Sequence, residues 1–492
     1  MRRLAWLPVL ALVVALVLAP RASTFAQSSV VQQLPDLGDA GASELTPAAE
    51  RKIGESVMRD IRRDPAYLDD PEVADYLNAL GARLVGAAPN ARQDFEFFAI
   101  RDGAINAFAL PGGFIGVHSG LITSTDTESE LASVLSHEIA HVTQRHIARQ
   151  LGIQKQMQLP MMAAMVAAVL LGRSRPDVGM GVSAMAQSGA IQSQLAFSRD
   201  FEREADRIGF QTLLGSGFDV RAMGAFFDKM QRYTRIVDSG AVPSYLRSHP
   251  VTTERIADAQ ARAEGMPFRQ TVDSVEYHLV RAKLRAEAAA EPRDAVRMFG
   301  DAVSDRRYAN EPGARYGLAV ALLRAQEPAK AEAEVARLRA ARVESPMIEM
   351  LAARARFAQK DPAGALAILK AALQRYPHRR TVLYAYLDGL LEQGRYDEAQ
   401  AALADPMRLY PRDPKLHEAR AKAYAGQGKR LLQHQAQAEF YLLLGALPAA
   451  IEQLQLAQQS GDGNFYELSV VDARLKELRA ERAREMQDEK KR

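Results

Sequence analysis

The sequence predicts a mainly α-helical protein: helices around a small β-sheet, followed by a solenoid of paired helices. Three observations carry that expectation. Residues 127–150 run without Pro or Gly, and Leu131, Val134, Leu135, Ile139 and Val142 recur at spacings of three and four, as a core-facing helix needs. Short runs rich in Phe and Ile at 94–100, 106–110 and 114–118 read as strands. From about residue 275 the chain turns Ala- and Leu-rich, and Ala331, Ala365 and Ala399 are spaced by 34, as are Pro377 and Pro411, and Gly394 and Gly428. A 34-residue period of paired helices is the signature of tetratricopeptide repeats.

Taken in order, the chain opens on Met1-Arg2-Arg3, an apolar run at 4–19 and the small-residue site Thr24-Phe25-Ala26. That pattern predicts a secretory signal peptide at 1–26, cut after Ala26, with an uncleaved anchor as the alternative. A polar leader at 27–43 follows. Residues 46–62 read as a helix that Thr46 caps and Pro47 starts, with Ile53, Val57 and Ile61 as its apolar stripe; 71–85 read as another. Gly112-Gly113 should turn the chain so that 114–118 pairs back as a hairpin strand, and an exposed edge there could add a peptide as an extra strand. His118 has no spacing that ties it to a site and reads as structural.

The helix over 127–150 carries His137-Glu138-x-x-His141. Histidines four apart lie one above the other on a helix face and can share a Zn²⁺ ion. Glu138, about 100° round the helix, can reach a nucleophilic water at the metal without ligating it, so the motif supplies two ligands and a general base. His146, five residues past His141, falls off that face and reads as solvated. Catalytic zinc commonly has three protein ligands. Ser198 can cap a helix on which Glu202 and Asp206 share a face while Glu204 points nearly opposite. Glu202 can then ligate, Asp206 can orient a ligand histidine, and Glu204 is a solvated charge; the alternative is three acids on an exposed helix face.

The Met-rich apolar run at 157–171 is too short to span a bilayer. It reads as a core helix, a flap or a soft contact surface, and the Gly/Ser-rich loop at 172–194 could gate access. Residues 210–230 and 252–264 are helical, and Gly265-Met266-Pro267 ends the first unit. Four or five repeats fill 275–471, forming a core of their own, and 472–492 is a charged helix or tail. The division expected is therefore 44–268 and 275–471, with the leader and tail outside them.

Charge and cysteine content exclude several functions. Lys and Arg total 63 against 60 Asp and Glu, and three of those arginines lie in the first 26 residues, so the remaining chain is balanced. Nothing electrostatic favours nucleic acid. With no cysteine, disulfides, thiol catalysis and Cys-ligated zinc are out.

Four motifs in one order are more specific than any of them alone: Asn106-Ala107-Phe108-Ala109-Leu110-Pro111-Gly112-Gly113, the His137–His141 motif, Glu202-x-x-Ala205-Asp206, and Ser248-His249-Pro250-x-Thr252-x-x-Arg255-Ile256. Over about 44–264 they resemble the HtpX-like and CAAX-prenyl-protease family of zinc metalloendopeptidases, and the repeats narrow the likeness to its periplasmic members. The resemblance implies a zincin-type fold, one Zn²⁺ per chain on His137, His141 and Glu202, and Glu138 as base. It also makes Asn106, Ala107 and Phe108 a substrate-binding strand beside the active-site helix. It implies the Gram-negative periplasm, only peripheral membrane contact, and quality control of outer-membrane proteins, with β-barrel precursors and their assembly machinery as partners through the repeats. The contrasting expectation is a chaperone or scaffold without proteolysis, against which the intact Glu138 argues. His249 is placed near the cleft, where three roles stay open: a donor to the oxyanion, an occupant of the zinc's fourth position, or a residue that fixes its loop.

Overall fold

In the computed structural model the described residues are 45–153, 198–236, 244–269 and 271–490, all within one compact unit. The expected signal peptide, leader, flap and gating loop lie outside them. No described helix is long and apolar enough to cross a membrane.

Helix α1 (Pro47–Ile61) starts where Thr46 accepts a hydrogen bond from the Ala49 amide, and α2 (Pro71–Val85) where Asp70 accepts from Glu72 and Val73. Strands β1 (Glu96–Ile100), β2 (Ala107–Leu110) and β3 (Phe114–His118) form one sheet in the order β1-β3-β2. β2 and β3 make the expected antiparallel hairpin, whereas β1 pairs with β3 in parallel. Gly112 and Gly113 turn the hairpin at φ 80° and 91°, and a Cβ on Gly113 would lie 2.1 Å from the Asp94 carbonyl oxygen. Since β3 is central, β2 stands at the sheet's edge.

A short helix α3 (Ser119–Ser124) leads to α4 (Glu128–Thr143). Thr127 caps α4 through the Glu130 amide, while the Glu130 carboxylate accepts from Asp126, one residue before the position of an ideal capping box. Every residue of α4 from Glu128 to Val142 is buried. A helix enclosed on all sides that still carries two histidines and three glutamates must satisfy them internally. The helix expected to reach residue 150 instead stops: Arg145 takes φ 54°, and α5 (His146–Ile153) sets off in a new direction. The turn is fixed from afar, because Arg145 Nε donates to Glu50 of α1 at 2.8 Å. Helix α6 (Arg199–Gly215) lies against α4 so closely that a Cβ on Gly209 would meet the His137 Cα at 3.1 Å. Helices α7 (Arg221–Ile236), α8 (Ser244–Ser248) and α9 (Thr253–Glu264) complete this part.

The repeats begin with α10 (Val275–Ala288), and six helix pairs follow one another from there to Lys490. Each of four inter-helix turns closes on a left-handed residue at the same phase: Gln326, Lys360, Gly394 and Gly428, spaced by 34, with φ between 61° and 73°. Glycine occupies only the last two, so the sequence shows only half of this series. The final helix, Phe465–Lys490, runs through the expected boundary at 471/472, and Val471, Leu475 and Leu478 pack on Leu447 and Leu454.

The repeats have clusters of their own from Met350 to Ala423 and from Leu431 to Leu478, but the first repeats do not form the separate core expected for them. One apolar cluster runs from Leu68 and Tyr76 through Leu131 and Phe226 to Tyr277, Tyr316 and Ile348. Its physical reason lies in the first repeat helix, whose Tyr277, Leu279 and Val280 are wholly buried. Polar contacts reinforce the join. Glu128 accepts from the Ser274 amide at 2.8 Å and from its hydroxyl at 2.6 Å, and buried Lys283 pairs with Asp70 and Glu72 of the α2 start. Arg354 adds a contact to Glu72 at 3.1 Å, Thr381 bonds Asp75 at 3.1 Å, and Lys415 meets Asp69 at 3.0 Å.

Candidate metal centre

The spacing of four on α4 brings the Nε2 atoms of His137 and His141 to 3.0 Å from each other. Across from them, the first turn of α6 delivers Glu202, whose Oε2 is 3.5 Å from His137 Nε2 and whose Oε1 is 3.4 Å from His141 Nε2. The loop after α8 adds His249, with Nδ1 3.3 Å from His137 Nε2 and 2.9 Å from Glu202 Oε1. These four donors lie within 4.8 Å of one another and are all buried.

This group fits a zinc ion. A tetrahedral Zn²⁺ with arms of about 2.0–2.1 Å holds its ligand atoms about 3.3–3.4 Å apart, and the five separations above, 2.9 to 3.5 Å, bracket that value. Three imidazoles and a carboxylate form a donor set that suits zinc. Electrostatics agree. Burial opposes charge on His137, yet its hydrogen bonds to Asp206 and Glu202 prevail and raise its pKa to about 9. Glu202 is held well below the usual carboxylate range: burial opposes this, but the His249 charge and bonds from the histidines outweigh it. The cage thus favours positive charge at its centre.

A model of peptidase family M48 matches residues 71–263, and a tetratricopeptide-repeat model matches 356–423. The Beta-barrel assembly-enhancing protease of Yersinia pestis is 34% identical over 447 residues, 91% of each chain. The chain belongs to peptidase family M48. The corresponding Escherichia coli (strain K12) protein is 31% identical over 469 residues, 95% of each chain, and the Mitochondrial metalloendopeptidase OMA1 of Arabidopsis thaliana is 27% identical over 257 residues, 51% of this chain and 49% of its own. A solved tetratricopeptide-repeat domain aligns with 68% of this chain and 98% of its own at 12% identity, but its TM-score of 0.19 carries no argument. The resemblance to HtpX-like zinc proteases therefore holds: this M48 member is a metalloendopeptidase with C-terminal repeats, and zinc is its cofactor.

Around the four donors, the M48 site is built in rings. Asp206 Oδ1 lies 3.0 Å from His137 Nδ1, and Arg255 clamps Asp206 through two bonds of 2.6 and 2.7 Å while reaching Glu202 Oε2 at 2.8 Å. The sequence offers Arg255 without a task for it; its signal is the pair of Asp206, two turns into α6, and Arg255, in the first turn of α9. Glu138 is fully buried, its Oε1 3.5 Å from His249 Nε2, and neither carboxylate oxygen has a hydrogen-bond partner among the described residues. Burial lifts its pKa above the ordinary glutamate value, against the pull of His249 and His137.

Two readings change. His146, expected in solvent, is fully buried, with its Nδ1 2.9 Å from His141 Nδ1. The cause is the turn at Arg145, which brings it back under the zinc helix. Glu204, expected as a free surface charge, is only partly exposed and bonds His146 Nε2 at 3.2 Å and Arg149 at 2.8 Å. Those bonds, His146 first and Arg149 next, lower its pKa to about 2 despite some burial. Tyr245 was missed: its ring is fully buried 4.9 Å from that of His249, and its amide donates to Ile105, just before the hairpin. Asn106 and Ala107 are buried and Phe108 half-buried, at the start of the edge strand that packs along α4. Asn106 Nδ2 lies 3.5 Å from Nε2 of His118, which in turn faces Asp102 at 3.6 Å and is not one of the four grouped metal donors.

Proposed function

We propose that this chain is a periplasmic zinc endopeptidase that acts on outer-membrane β-barrel proteins during their assembly, with the repeats engaging precursors or assembly machinery. The observation that carries the chemistry is the buried cage of His137, His141, Glu202 and His249 with Glu138 beside it. The substrate class rests on relatives named for β-barrel assembly that span nine-tenths of this chain, and the compartment on the signal-like start.

In this reading His137, His141 and Glu202 hold the metal, and Asp206 orients His137. Zinc, when bound, supplies Lewis-acid activation of water and of the scissile carbonyl. Glu138 takes the proton from the attacking water and delivers it to the leaving amine. A peptide adds to the outer edge of β2 at Asn106, Ala107 and Phe108, which fixes its backbone along the zinc helix. The test is metal analysis of the full-length protein together with cleavage of an unfolded β-barrel precursor. One zinc per chain, cleavage lost to a chelator and restored by zinc, is the expected outcome; cleavage that persists without metal overturns it.

In this reading His249 would be a further donor to the metal and would compete there with substrate. His249→Ala should therefore raise basal proteolysis, self-cleavage included, while zinc content stays near that of the parent protein. Lower turnover at unchanged zinc would instead make His249 a donor to the oxyanion. A closed site also suits holding a client without cutting it, so chaperone-like binding and proteolysis coexist in one chain.

A further inference from the structure

The two ligand histidines of α4 are supported differently. His137 turns its Nδ1 directly to a carboxylate, Asp206, which Arg255 clamps. His141 has an imidazole where its neighbour has a carboxylate: His146 Nδ1 at 2.9 Å. Behind that imidazole stands a second carboxylate–arginine pair, Glu204 at 3.2 Å and Arg149 at 2.8 Å from it. One helix, α6, thus presents the metal-binding carboxylate Glu202 and both supporting carboxylates, at positions 202, 204 and 206.

The proton positions follow from these contacts. His141 faces the metal donors with Nε2, so its ring proton sits on Nδ1. That N–H donates to His146 Nδ1, which must then be the bare nitrogen. His146 accordingly carries its proton on Nε2 and donates it to the Glu204 carboxylate, an acceptor in any case. Each hydrogen bond leaves one tautomer of the next ring. The rings are also fixed in orientation: His146 stacks on Phe201 at 4.6 Å with 11° between planes, and the Arg149 guanidinium lies over the same Phe201. The left-handed turn at Arg145, tied to Glu50, is what places His146 here. An uncommon backbone conformation at a non-glycine residue persists where the surroundings hold it.

We propose that His146, oriented by Glu204 and Arg149, is a positioning residue for the metal ligand His141, fixing its Nδ1–H tautomer and thereby retaining zinc. The inference rests on the zinc reading of His137, His141 and Glu202. Removing the partner of a ligand histidine commonly weakens metal binding 10- to 100-fold.

Three variants of the full-length protein test it by competition for zinc against a chelator of known affinity, with the melting temperature of the metal-free form as a second readout. His146→Phe keeps the stack on Phe201 and loses both hydrogen bonds; zinc affinity should fall about 10- to 100-fold, with the metal-free melting temperature near that of the parent. His146→Gln restores an acceptor for His141 and a donor for Glu204, and should recover most of that loss. Glu204→Gln weakens the far end of the chain and should give an intermediate loss. Zinc affinity in His146→Phe equal to the parent's overturns the proposal. If His146→Phe does not fold, zinc affinity in Glu204→Gln equal to the parent's overturns it just as well. A parent protein that binds no zinc, or a His141→Ala variant that binds it normally, sinks the underlying zinc reading instead, a result separate from any of these.

Discussion

Glu138→Gln should lower peptide cleavage by a factor of about 10² to 10⁴, the usual contribution of a positioned acid–base group, while one zinc per chain remains. The amide has the shape of the carboxylate but cannot accept the proton of the attacking water. The same substitution should leave stability unchanged or raise it. Glu138 is fully buried with no hydrogen-bond partner for either oxygen among the described residues, and burial raises its pKa. A carboxyl whose pKa is raised on folding disfavours the folded state once pH exceeds its unfolded value, and replacing it by a neutral group removes that penalty. Cleavage assays, metal analysis and melting curves, side by side, check all three parts. Undiminished cleavage would remove Glu138 from the reaction, and a large drop in melting temperature would show a structural role.

A second large effect is expected at the join between enzyme and repeats. Lys283 is 1% exposed and pairs with both Asp70 and Glu72. Lys283→Met should cost about 3–5 kcal/mol, because removing the shared cation leaves buried Glu72 and partly buried Asp70 short of countercharge; urea unfolding reads this directly. Arg354, still 3.1 Å from Glu72, sets the lower end of that range. The pH dependence follows from Asp70. Burial raises its pKa, but Lys283 and a backbone bond more than compensate, so it is lowered on folding. Its stabilisation is complete above an unfolded value of about 3.9 and is lost as pH falls through the folded value. Lys283, raised on folding, withdraws its share only as pH climbs above the ordinary lysine range. The join should thus hold evenly across neutral pH and weaken in strong acid. A cost under about 1 kcal/mol would mark the pair as no more than a surface bridge.

What the sequence reveals here is what short-range periodicity can carry. His137, Glu138 and His141 share one helix, and Glu202 with Asp206 another, so a spacing of four places each group without knowledge of the rest. The hairpin was legible because Gly112-Gly113 marks a conformation that favours glycine. Beyond that range the reading weakens. Residues 127–150 look like one helix, and the distant Glu50 carboxylate and Leu45 carbonyl holding Arg145 break it; His146 moves from solvent to the metal site as a consequence. Glu204 changes with it, since its partner was misplaced. Likewise Gln326 and Lys360 take the same left-handed turn as Gly394 and Gly428, but nothing in those side chains announces it. The parallel pairing of β1 with β3 and the core shared by enzyme and repeats are non-local, and no local pattern encodes them.

The shared core has a thermodynamic corollary. Leu68 to Ala352 form one apolar cluster, whereas Leu431 to Leu478 form another at the far end of the array. A repeat array ordinarily unravels segment by segment from either terminus. Here the first repeats are locked into the enzyme's core, and the turn at Gly445 comes back against Arg59 of α1, where a Cβ would lie 2.2 Å from the Arg59 side chain. Enzyme and first repeats should melt as one cooperative block, and a cut at Val275 would tear that block open rather than release a cassette. The last helix pairs can fray on their own at lower free energy. Hydrogen exchange would then be fastest near Lys490 and slowest around Tyr277 and Tyr316, a gradient running outward from the block that holds the zinc site.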